Sequence, residues 1–483
     1  MPNPIFIAQV EVQDHQGAPM ASIEIEAIDA DAIHTSYPGG PAHYEDGIAA
    51  VKTSDNQGLV TFDNLAHPRH WFRPRIHRHP DVRIQVLSYA PGQVTTDTAS
   101  VSIAAGKLPI KTYYCGPWMG ENGAIYSPIL TVADLPTVFK STDGGATHTE
   151  MDSANRPATT ALYGLWTAVY NNKIYMAACP NNSVNRYLHV FNMTTDTWET
   201  VSELITADGM SGVDNEVLGV CLAIRSNGDL VVAYSSATLG GGAGRAAYLI
   251  KTGGAWGAAV AFGDAFPQAN FPSSILLGDD NRIHFFYERI GGAFNANRLR
   301  HVSLSKTNVL DTNVIVSGVD ATSSDAHFGH GVSYIFGGSH RGCVPFTVGH
   351  GSLKGVAKVL RFTSQANPVF VTETPVPDDG VSYPAGSVSP AYCLANFGAD
   401  VFAAFGDFDT ADLYVDDSLE EAPWGTDDLK ESGITVTVVT CNVLGDPPKL
   451  MIIHDNGGTV YLRIVGITVS GFASQTDFLQ HDH

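Results

Sequence analysis

One unit recurs about every 55 residues from Asn122 to the C-terminus: a short apolar strand, a tight Gly/Asn/Asp turn and a second apolar strand. Its clearest copies flank Asn227-Gly228 with the runs 220–224 and 230–234, and flank Asp279-Asp280-Asn281 with 274–277 and 283–287. Others turn at Asn171-Asn172, Gly398-Ala399 and Gly445-Asp446; a more degenerate copy turns at Gly337-Gly338-Ser339 and a weak one at Asn122-Gly123. Turn centres at 122, 171, 227, 281, 338, 398 and 446 give intervals of 49, 56, 54, 57, 60 and 48 residues. Unrelated hairpins would not space themselves so evenly.

Repeats of this length built only of strands indicate a β-propeller. A single four-stranded blade has two apolar faces and two open edges, so it is stable only when stacked between neighbours in a ring. Inner strands covered on both faces lose their alternation, as in 220–224. Outer pairs, such as 187–191 with 197–201, keep a polar side for water. The expectation is an all-β chain in which a β-sandwich over residues 1–105 precedes a propeller over 106–483, with seven blades favoured and six as the alternative.

The bulk numbers agree. Among 483 residues are 48 Gly and 26 Pro, and only 16% are charged, which suits many turns and few solvated helices. No run of eighteen apolar residues occurs, and Met1-Pro2-Asn3-Pro4 lacks a basic segment before an apolar core, so neither a membrane span nor a Sec signal is expected. A net charge of −22 excludes nucleic acid as a partner, since phosphate contacts need a basic face. Residues 407–431 hold ten acidic groups against one Lys, read as a solvated outer strand and loop. No metal and no cofactor is expected; calcium is the one alternative, without a twelve-residue loop to carry it. The six cysteines, at 115, 179, 221, 343, 393 and 441, fall about one per repeat. Equivalent places on different blades usually exceed the roughly 7 Å limit for a disulfide, so six buried thiols are expected.

Residues 1 to about 105 do not follow the repeat. The stretch 23–28 alternates strictly, and 53–65 joins a turn to an alternating strand. Val12, Asp14, Gly17 and Pro19, followed by Thr53, Asp55, Gly58, Phe62 and Leu65, resemble the turn pattern of transthyretin-like and bacterial immunoglobulin-like domains. That resemblance implies a fold and an anchoring or docking role, not an activity. Within it, 67–79 packs four Arg and four His into thirteen residues. Arg69, Arg73, Arg75 and Arg78 are the expected docking residues for an acidic partner, either copies of the same chain or other particle proteins.

Ser141, Asp143, Gly145 and Thr147 resemble the Asp-box of sialidases and other propellers, with His148 where the aromatic is usual. The resemblance implies a structural hairpin. A sialidase would add an arginine cluster, a Tyr/Glu pair and an Asp acid, yet Asn155-Arg156-Pro157-Ala158 lacks the isoleucine of the expected arginine segment and follows the box instead of preceding it. No catalytic residue is assigned. Residues expected on loops around the axis are Arg156, Asp214, Glu216, Glu288, Arg289, His454 and Asp455. Trp118, Trp166 and Tyr383 are the aromatics that could stack on a sugar.

The functional expectation is a non-enzymatic structural or binding protein, a virion fibre, decoration or tail component at a virion or extracellular surface, presenting the propeller to surface glycans. The alternative is a sialidase-like glycoside hydrolase or a propeller lectin.

Overall fold

In the computed structural model the described residues are 6–13, 22–29, 48–55, 59–65, 70–74, 83–91, 97–108, 111–158, 162–180, 183–209, 219–239, 245–262, 270–278, 281–289, 299–311, 314–315, 325–349, 354–364, 368–373, 381–382, 392–407, 412–421, 423–424, 428–434, 436, 438–445 and 448–467. Strands predominate among them, with a short 3-10 helix at Leu419–Glu421, and no helix among them is long and apolar enough to cross a membrane. The chain divides into two compact units. One is Met1–Thr96 with Gly445–Lys449 and Gly466–His483; the other is Asp97–Leu444 with Leu450–Val465.

The first unit holds two three-stranded antiparallel sheets. Phe6–Gln13 lies between Leu59–Leu65 and Arg83–Pro91, and Glu24–Asp29 lies between Ile48–Thr53 and His70–Pro74. The strict alternation explains which side is buried: Val10 and Val12, Ile25 and Ala27, Val60 and Phe62 are all sequestered at every second position. Arg73 stands on His70–Pro74 opposite Glu26. Arg69, Arg75 and Arg78 lie outside the described residues.

The second unit is a β-propeller. Five further sheets form blades, and the strands that open their repeats are Leu162–Tyr170, Val220–Ile224, Asn270–Leu277, Asp325–Phe328 and Tyr392–Phe397. Every residue of Val220–Ile224 and of the following Leu230–Ser236 is buried, because blades cover both faces of these strands. Thr197–Thr206, outermost in its blade, alternates between buried and exposed.

The blade count therefore differs from the seven, or six, that the repeat predicts. The first and last repeats do not make separate blades. Val101–Lys107 pairs on one side with Thr459–Gly466 and on the other with Ile125–Thr131, fusing both repeats into one eight-stranded sheet. That pairing spans more than 350 residues of chain, and no local periodicity records it.

Candidate functional site

The inner strands converge on a pocket of about 290 Å³. Its wall comes from the turn-ward halves of inner strands at Thr167–Val169, Leu222–Ile224, Ile275–Leu277 and Ala395–Asn396, together with Gly331–Ser333, where Val332–Phe336 begins, and Asn442. Tyr114, Trp118, Trp166 and His330 complete it.

These four rings form one packed cluster. Tyr114 and His330 stack with centroids 3.3 Å apart and planes 4° from parallel. Trp118 meets Tyr114 edge-on at 5.4 Å, and Trp166 lies 5.4 Å from His330. Hydrogen bonds fix the arrangement. Trp118 Nε1 donates to Thr167 Oγ1 at 2.9 Å, and that hydroxyl donates to the Tyr114 carbonyl at 2.8 Å. The Tyr114 hydroxyl donates to the Cys441 carbonyl at 3.3 Å, and burial holds its pKa well above the usual phenol value, so it stays a neutral donor.

Local sequence explains the placement. Lys111–Tyr114 adds in parallel to Leu162–Tyr170, setting Tyr114 opposite Trp166. Gly116 adopts φ +88°, and a Cβ there would lie 2.7 Å from the Trp118 ring. Gly331, beside His330, runs so close to Ser339–Gly349 that a Cβ would sit 2.5 Å from the Cys343 carbonyl.

The sequence-derived residues fall unevenly around this pocket. Trp118 and Trp166 both line it, Trp166 being buried; Tyr383 lies outside the described residues, as do Asp214 and Glu216. Arg156 is remote from it, paired at 2.7 Å with Glu150 on the edge strand Thr149–Glu150. Glu288 and Arg289 stand opposite Phe271 and Asn270, whereas Ile283 stands opposite the pocket residue Leu277. Six residues of strand separate Phe271 from Leu277, about 20 Å at ~3.3 Å per residue. The two groups therefore occupy opposite ends of the ring wall.

His454 is buried and stacks on Tyr461 at 5.5 Å, with Asp455 following it on Lys449–Asn456. Its Nε2 lies 3.2 Å from Ser100 Oγ, but this is not a nucleophile relay. Glu431 accepts from Ser100 itself, and His454 Nδ1 has no hydrogen-bond partner. A relay needs the carboxylate on that nitrogen.

At the turn 141–147, Ser141 Oγ donates to Asp143 Oδ1 at 2.8 Å and accepts from Gly145 N. Thr147 donates to Asp143 through Oγ1 at 2.6 Å and through N at 2.9 Å. These bonds hold the Asp143 carboxyl well below the ordinary range, the Thr147 hydroxyl contributing most. The acidic stretch is partly consumed internally: Asp416 is buried, Glu421 accepts from the Tyr334 hydroxyl at 3.0 Å, and Glu431 meets Arg463 at 3.3 Å. Among the described residues no group of three or more His, Cys, Asp or Glu is arranged to hold a metal.

All six cysteines are buried and unbridged. Cys393 and Cys441 meet across two blades: the Cys441 amide donates to Cys393 Sγ at 3.3 Å.

No family model matches the chain, and no curated protein does. Several solved structures resemble it at low identity. A GH93 α-L-arabinofuranosidase of Fusarium graminearum, in complex with arabinobiose, is 14% identical with a TM-score of 0.44, over 77% of this chain and 98% of its own. A family PL25 ulvan lyase is 9% identical with a TM-score of 0.44, covering 77% and 96%. Hydrazine synthase of Kuenenia stuttgartiensis is 11% identical with a TM-score of 0.47, covering 75% and 97%. Likeness at this level carries no activity over to this chain. The expectation of a non-enzymatic virion component is left unsupported: the structures found are named as enzymes, two of them acting on glycans.

Proposed function

We propose that this chain is a carbohydrate-active propeller whose axial pocket holds a neutral sugar unit. The observation that carries this reading is the composition of the pocket: the indoles of Trp118 and Trp166 beside the Tyr114–His330 stack, with Asn396, Asn442 and Ser333 on the same wall. The C–H faces of a sugar pack against aromatic rings, and its hydroxyls exchange hydrogen bonds with amide and hydroxyl side chains. Trp118 has its N–H satisfied by Thr167, so its ring serves as a fixed platform. The volume lies near the lower end of ligand pockets, which begin at about 300 Å³. It suits a single ring with part of a neighbour.

The described lining includes no guanidinium, ammonium or carboxylate, which favours a neutral sugar over a sialic or uronic acid. The test is a glycan array followed by reducing-end and unsaturated-product assays on whichever polysaccharides bind. Binding to neutral glycans, weakened roughly three- to tenfold by Trp118→Ala, is the expected result. Absence of binding to every neutral glycan, or equal binding by Trp118→Ala, would remove the reading.

A further inference from the structure

We infer that Cys393 and Cys441 form a peroxide-reactive dithiol, which closes into a disulfide between two neighbouring inner strands beside the axial pocket. Cys393 belongs to Tyr392–Phe397 and Cys441 to Val439–Leu444. The Cys441 amide donates to Cys393 Sγ at 3.3 Å, and Cys393 Sγ lies 3.9 Å from the Cys441 carbonyl. An N–Cα bond of about 1.46 Å then places the Cys441 Cα within about 4.8 Å of the Cys393 sulfur. The Cys393 sulfur thus lies against the backbone of Cys441, within reach of the thiol on that Cα once the side chain turns toward it.

The two sulfurs are not equivalent. The backbone at His330 bridges in parallel to Cys393, and the His330 ring is held there by the Tyr114 stack. Burial by itself would raise the Cys393 thiol, but hydrogen bonds from Cys441 and His330 draw it below the usual value. Cys441 moves the other way, through burial and its neighbour. Cys393 is therefore the attacking sulfur and Cys441 the resolving one. Both thiols are buried, and Ala395, two residues on and on the same strand face as Cys393, lines the pocket, as do Tyr114 and His330, so the pocket is the side from which a small oxidant such as hydrogen peroxide would approach.

The chemistry closes without further reagents. The Cys393 thiolate attacks one peroxide oxygen, the O–O bond breaks, and hydroxide leaves as water after taking a proton. Cys441 then attacks the Cys393 sulfenic acid, forming the S–S bond and releasing a second water. Two thiols are oxidised and one peroxide becomes two waters.

The test treats the folded protein with hydrogen peroxide, quenches it with an alkylating agent and maps thiols by mass spectrometry. A Cys393–Cys441 cross-linked peptide, reversed by dithiothreitol and formed about tenfold faster than any oxidation of Cys221 or Cys343, is expected. Cys441→Ser should stop at a Cys393 sulfenic acid that dimedone traps. If that variant fails to fold, the wild-type map alone decides. Uniform oxidation of all six cysteines, a link from Cys393 to Cys115 instead, or an unmodified pair would overturn the inference.

Discussion

Tyr114 lies flat on His330, ring centroids 3.3 Å apart, although 216 residues of chain separate them. Tyr114 also meets Trp118 edge-on and donates to the Cys441 carbonyl, so a single side chain ties together several parts of the axial wall. Truncation and conservative replacement should therefore separate. Tyr114→Phe removes only the phenol bond and should cost about 1 kcal/mol. Tyr114→Ala empties the stack and should cost ~3–5 kcal/mol. Chemical unfolding of both variants checks this; equal losses would mean that the ring contributes nothing beyond its hydroxyl.

Arg361 staples the fourth blade to the fifth. Nε binds Glu373 at 2.6 Å, Nη1 donates to the Tyr334 hydroxyl at 2.9 Å, and Nη2 donates to Ser418 on the next blade at 2.5 Å. Trp424 stacks 5.5 Å from its guanidinium and donates to the same Glu373 carboxylate at 2.9 Å. Arg361→Met leaves that carboxylate without its cation and should cost less than the roughly 3–5 kcal/mol of breaking a fully buried pair, because Glu373 remains partly exposed. Arg361→Lys should recover little, because an ammonium cannot reproduce the fork. A denaturant midpoint within error of wild type for Arg361→Met would show the staple to be redundant.

At the turn holding Asp143, Gly145 has φ +95°, and a Cβ added there would come within 3.0 Å of Leu462 and Ile464. Both strain and crowding oppose a side chain. Gly145→Ala should lower the melting temperature, at a cost of about 1–3 kcal/mol. Asp143→Asn keeps the shape but weakens three charge-assisted bonds in an exposed turn, so its effect should be smaller. Thermal scans of the pair check the order.

The propeller was legible because burial on both faces writes itself into runs such as 220–224 and 230–234, each closed by a turn residue with positive φ such as Gly228. Ring closure was not, since Val101–Lys107 finds its partner at the far end of the chain. Trp118 and Trp166 could be picked out from their chemistry alone, and both line the pocket. Their partners Tyr114 and His330 escaped notice: one lies on a short strand before the first clear repeat, the other in the most degenerate repeat. The sequence Gly329-His330-Gly331 carried a signal, because small residues on both sides of a histidine permit close approach of neighbouring backbone. The closeness of Cys393 and Cys441 was hidden for a different reason. Equivalent positions on adjacent inner strands converge toward the axis, a contact that a strand-by-strand reading of the sequence does not record.

Acid should unfold this protein earlier than its carboxylates alone would dictate. His189, His284, His301 and His454 are buried. Burial first, aided at His284 by Arg282 and at His301 by His284, lowers their pKa values, to about 4 for His189 and His454 and about 3 for His284. The folded state thus keeps them neutral, while the unfolded chain protonates them below about 6.5, so unfolding takes up protons and stability falls as pH drops. Each histidine contributes a slope approaching ~1.4 kcal/mol per pH unit between about 6.5 and its folded value. His284 and His301 face each other at 2.9 Å, with Ser364 2.9 Å from the far nitrogen of His284, so a proton on either ring breaks into one shared network. Urea midpoints at about pH 7 and about pH 5.5 should differ markedly in wild type, and the difference should shrink in the double variant His284→Gln/His301→Phe. An unchanged pH dependence in that variant would assign the acid sensitivity to other groups.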